Sequence, residues 1–177
     1  MNIVKKFPKI EQIAAVYAVI VMMVYPWTLT RYFWKMSSWV LYSSLGDLAN
    51  LFAYMLTLNF LESLLILLAP LMLNMILPRQ WFYDRFVSRS VLLVVLGLGY
   101  LIVLNRSMYA DDTFPWDMVR ATPFVMVAVL MLAFLLDRIP LVRRVVEELS
   151  NRALVFLYIS LPLSVISALV VLIRNIV

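Results

Sequence analysis

Glu62 is the residue whose type and setting most invite chemistry. It lies in Leu58-Asn59-Phe60-Leu61-Glu62-Ser63 and is the only formally charged residue near the middle of any long apolar run. A charge at the centre of a bilayer costs on the order of 2.5–3.5 kcal/mol on insertion scales, and a buried acid can escape that cost by keeping its proton. Such a group can carry a proton, bind a substrate, or donate a hydrogen bond between helices. Asn59, three residues earlier, shares its helical face, which is expected to turn toward the bundle interior. Partners expected at comparable depth are Ser160, Ser164 and Tyr100, the last beside Gly97 and Gly99, whose small size would permit close helix approach. A pump or carrier needs a relay of ionisable groups, and one mid-span acid without a mid-span base favours the hydrogen-bonding role.

Other chemistry is largely excluded by composition. The chain has no cysteine and no histidine, which removes the usual ligands for zinc, copper, haem and iron–sulfur centres and the commonest general base. Ser-His-Asp, Cys-His and HExxH arrangements therefore do not exist within it. Lysine occurs only at Lys5, Lys6, Lys9 and Lys35, none in mid-span, so no amine is placed for a Schiff base. Three glycines, Gly46, Gly97 and Gly99, assemble neither a P-loop nor a dinucleotide fingerprint. Met22, Met23, Met72 and Met75 raise the question of a copper(I) thioether site, but methionine is a common filler of apolar packing and nothing assists it here. No catalytic motif, metal site or cofactor is expected.

The elements that must position these residues are transmembrane helices. Of 177 residues, 65% are hydrophobic and 14% charged, against roughly 45–50% and 25% in soluble domains, and the mean hydropathy is +0.97. Five apolar spans are expected at about 10–30, 47–77, 86–105, 118–136 and 153–173, forming a single all-α polytopic membrane domain. Lys5, Lys6 and Lys9 precede the first span like the basic end of a signal peptide. That span is too long, however, and it ends in Tyr25-Pro26-Trp27 rather than small residues, so it reads as an uncleaved helix. Asp47 is a plausible N-cap for the second span, and Pro78 follows its end.

Two segments read as interfacial. Residues 31–45, with Tyr32, Trp34, Trp39 and Tyr42, have the composition of a headgroup-level belt. Between the fourth and fifth spans, Ile139, Val142, Val145, Val146 and Leu149 share one face, while Arg143/Glu147 and Arg144/Glu148 form i,i+4 pairs. This predicts a short amphipathic helix over 139–150, lying on the membrane or extending a span into water, with partner docking as the sharper alternative. Arg79, Trp81, Arg85 and Arg89 could contact anionic lipid headgroups, although generic anchoring explains them too. Arg31, Arg106 and Asp137, at span ends, read as solvated anchors.

Charge sets the expected orientation. With the N-terminus inside, Lys5, Lys6, Lys9, Arg79, Arg85, Arg89, Arg138, Arg143, Arg144 and Arg152 face the cytoplasm, and only Arg31, Lys35, Arg106, Arg120 and Arg174 face outward. Lysine and arginine concentrate on the cytoplasmic side, so N-in/C-out with an odd number of spans is expected, and the acidic 106–117 loop then faces outward. In this setting the net charge of +5 reflects topology and anionic-lipid contact rather than nucleic-acid binding.

The reading these features support is a non-catalytic subunit or scaffold of a bacterial cytoplasmic membrane complex, bound to membrane lipids and to a protein partner or a second copy of itself. The alternative is a small transporter or lipid-handling protein built on Glu62 and Asn59. In topology alone, the five spans with N-in/C-out resemble the membrane portion of lipoteichoic-acid-synthase-like envelope transferases. The resemblance includes no catalytic residue, and it implies a catalytically empty membrane module that binds a lipid substrate or a separate ectodomain.

Overall fold

A computed structural model describes residues 8–78, 82–110 and 115–176, apart from the side chains of Asp84, Tyr109 and Ala110. Lys5, Lys6, Arg79, Trp81, Asp111 and Asp112 lie outside the described residues or side chains. Among the described residues the regular elements are helices: α1 (Ile10–Trp39), α2 (Leu45–Ile76), a 3-10 turn (Tyr83–Arg85), α3 (Phe86–Ala110), α4 (Trp116–Leu136) and α5 (Pro140–Ile176). All five α-helices are long and apolar enough to cross a membrane, the architecture of an integral membrane protein. At 1.5 Å per residue, the 21 residues of α4 just cross a core of about 30 Å, whereas the 37 of α5 exceed it.

The helix ends show how local chemistry fixes these lengths. Ser44, rather than Asp47, is the N-cap of α2. Its Oγ accepts the Asp47 N–H at 3.2 Å, and Asp47 Oδ2 accepts the Ser44 N–H at 3.2 Å, a reciprocal capping box. Pro140 opens α5, where a missing N–H costs nothing.

Two expected boundaries change. Residues 31–39 continue α1 instead of turning along the interface. Tyr32 is buried there, donates its hydroxyl to Leu48 O at 2.9 Å, and packs edge-on against Trp39 and Phe52. These aromatics join α1 to the start of α2, so part of the supposed belt is used in helix packing. The 139–150 segment is likewise not a separate short helix: from Pro140 it is the first part of α5, continuous with the last span. Glu147 pairs with Arg143 at 3.3 Å, but Glu148 takes Arg152 at 2.6 Å rather than Arg144.

The bundle is organised around α1, whose residues Ala15–Val21 are all buried. Helices α2, α3 and α5 pack around it, and α5 also packs on α2. Helix α4 docks chiefly on α3 and diverges from α5 despite the short link between them. The inward face of α5 carries small residues at helical spacing, Ser150, Ala153, Ser160, Ser164 and Ser167. Small residues let helices approach closely in lipid, where hydrophobicity gives no reason for one apolar face to turn inward.

Candidate functional site

Two hydrogen bonds set the register of the central helices. Tyr17 on α1 pairs with Ser63 on α2 at 3.0 Å, and Tyr25 pairs with Ser164 on α5 at 2.7 Å. Ser63 and Ser164 also donate to the carbonyls of Phe60 and Ser160 on their own helices, so the hydroxyls are satisfied within the bundle. Since α2 runs against α1 and α5 runs with it, Asn59 and Ser160 both fall within about a turn of Val21. Both are buried. Asn59 Nδ2 nevertheless has no hydrogen-bond partner among the described residues.

Glu62 takes a different position. It is exposed on α2 and lines a groove of about 170 Å³ with Met23, Val24, Trp27 and Thr28 of α1 and Leu98, Leu101, Ile102 and Asn105 of α3. The groove thus lies between α2 and α3 with α1 along its floor. Three residues along a helix turn the direction by about 60° from a full revolution, enough to separate interior Asn59 from groove-facing Glu62. Glu62 makes no hydrogen bond or ion pair with any described residue.

The residues expected beside Glu62 are engaged elsewhere. Ser164 holds Tyr25, while the Tyr100 hydroxyl lies 3.0 Å from both Met118 O and Thr122 Oγ1 and joins α3 to α4. Gly97 and Gly99 do not mark a close helix approach: a Cβ at either would meet nothing within 4 Å. Gly97 instead borders an apolar groove among α2, α3 and α4. Toward the far end of the Glu62 groove, Arg31 donates to Asn105 Oδ1 at 2.5 Å and lies over the Trp27 ring, so it is a packed cation rather than a purely solvated anchor.

A second polar cluster stands at the opposite end of α3. Asp137, at the C-cap of α4, has a side chain 0% exposed. Arg89 Nε donates to its Oδ2 at 2.7 Å, and Arg85 Nη1 reaches the same oxygen at 3.3 Å. Arg89 also lies over the Phe134 ring, which packs edge-on with Phe82, itself edge-on to Phe86. The solvated-anchor expectation for Asp137 is therefore overturned, because the turn between α4 and α5 folds the carboxylate onto the start of α3. The i,i+4 spacing of Arg85 and Arg89 was visible in the sequence, but nothing there linked it to a carboxylate far along the chain.

The arrangement supports helix association and charge pairing. Among the described residues there is no group of three His, Cys, Asp or Glu side chains placed to hold a metal. No protein-family model, curated protein or solved structure matches the chain.

Proposed function

We propose that the chain is a non-catalytic subunit of a membrane complex and that the α2–α3 groove holding Glu62 receives a helix of its partner. The observation that carries this reading is the contrast between Glu62 and the interior hydroxyls. Tyr17, Ser63, Tyr25 and Ser164 satisfy one another within the chain, whereas Glu62 faces out of the bundle without a described partner. A carboxyl group at that depth gains most from a cation or hydrogen-bond donor on a neighbouring helix. The proposed setting is a bacterial cytoplasmic membrane with the N-terminus inside, following the lysine and arginine distribution.

Native mass spectrometry of gently extracted protein tests this directly. The wild type is expected to carry a second polypeptide at fixed stoichiometry. Glu62→Gln should retain part of that association, while Glu62→Leu should lose it with the monomer still folded. A wild-type protein that is always a lone chain would contradict the proposal.

A lipid-handling reading has one observation in its favour. Thr28 borders both the Glu62 groove and a second groove lined by Arg31, Lys35, Trp34, Trp39, Leu51 and Met55, so a mixed apolar and cationic path follows α1. If the same experiment finds one defined lipid in place of a polypeptide, and Glu62→Leu releases it, this second reading replaces the first.

A further inference from the structure

We propose that the end of the bundle carrying the start of α1 contains a binding site for the zwitterionic headgroup of an aminophospholipid. The site is a groove of about 320 Å³ among α1, α3 and α5, bordered by Glu11, Gln12, Arg85, Ser88, Glu147 and Asn151. Its volume is at the lower end of the range for small-molecule sites. This inference is independent of the Glu62 proposal.

Register places these groups at one depth. The Tyr25–Ser164 pair brings Asn151 close to the level of Gln12, and the Arg31–Asn105 pair brings Arg85 close to the level of Glu11. Immediately beyond them, buried Ala15–Val21 and Val91, Leu92 and Val94 begin the apolar part of the bundle. The groove therefore stands at the boundary between apolar core and polar surface, where headgroups lie.

Charge identifies the ligand class. Arg89 already pairs with Asp137 at 2.7 Å, whereas Arg85 is farther away at 3.3 Å and its side chain is 42% exposed. The two guanidinium groups share one carboxylate, which leaves positive charge at the groove wall. Ser88 adds a buried hydroxyl that has no hydrogen-bond partner among the described residues. Together they suit a phosphodiester. Glu11 and Glu147 border the same groove, and Glu147 shares only a half-exposed pair with Arg143. A purely anionic headgroup would meet these acids without compensation. A primary ammonium beside the phosphate satisfies them, and its three N–H donors exceed what a quaternary ammonium can offer.

The test is native mass spectrometry of the full chain exchanged against equal concentrations of phosphatidylethanolamine, phosphatidylglycerol and phosphatidylcholine with identical acyl chains. The wild type should retain phosphatidylethanolamine at least threefold over each of the others. The double variant Glu11→Gln/Glu147→Gln should lose that preference while unfolding at the wild-type temperature, since both positions are exposed. Ser88→Ala should lower retention of phosphatidylethanolamine and phosphatidylglycerol together. Equal retention of all three lipids by the wild type, or an unchanged preference in the double variant, would overturn the proposal. So would displacement of the lipid by an equal concentration of soluble glycerophosphoethanolamine, which would identify the ligand as a free phosphate ester.

Discussion

Asp137 is the residue on which the most identifiable electrostatic energy converges. Two guanidinium groups address its buried Oδ2, while Oδ1 has no partner among the described residues. Removing one side of a buried charge pair costs about 3–5 kcal/mol because the other side remains uncompensated. Asp137→Ala is therefore expected to lower the thermal stability of the detergent-solubilised protein by roughly that amount, measured by thermal unfolding. Asn59 predicts the opposite direction. Its buried Nδ2 has no partner among the described residues, an omission worth about 1–3 kcal/mol, so Asn59→Leu should leave stability unchanged or raise it. A marked loss of stability would mean that the amide has a partner the fold depends on. Tyr25→Phe removes one interhelical hydrogen bond and should cost only about 0.6 kcal/mol, the average for such bonds in lipid.

At the scale of elements, the inward face of α5 explains much of what the sequence concealed. Ser160, Ser164 and Ser167 face the bundle, while Tyr158, Ile159 and Ile166 face outward. Ser160→Leu should disturb the close packing and cost about 1–3 kcal/mol as overpacking, whereas Ile159→Leu should be neutral; paired unfolding curves would check both. The apolar runs made five spans legible because crossing a bilayer demands length and hydrophobicity. They did not reveal which face turns inward, because lipid and protein interior are similarly apolar. Ser164 was legible as a polar candidate, but its bond to Tyr25 required the fold to bring residues from opposite ends of the chain together. Glu62 was legible for the same reason as the spans, by its contrast with them; its outward direction was not. For 139–150 the spacing allowed either a short helix lying on the membrane or an extension of a span, and did not choose between them; the segment is continuous with the last span, since neither Ser150 nor Asn151 stops a helix whose next turns are packed.

The molecule as a whole is a central helix wrapped on several sides, with α4 attached mainly through α3. By the register of α1 and α5, the first turns of α5 project past the start of α1. The orientation proposed for this assembly is easily tested because the chain has no cysteine. In intact cells, a membrane-impermeant thiol reagent should label Ser43→Cys but not Asn151→Cys; the reverse pattern would invert the orientation. The central claim concerns the groove between α2 and α3. The most direct measurement places a photo-crosslinking amino acid in living cells at Leu101, within the groove, and at Val155, on the exposed face of α5. A discrete polypeptide adduct from Leu101, abolished by Glu62→Leu and missing at Val155, is the predicted result. Lipid adducts alone at Leu101, or the same polypeptide adduct from both positions, would contradict the account.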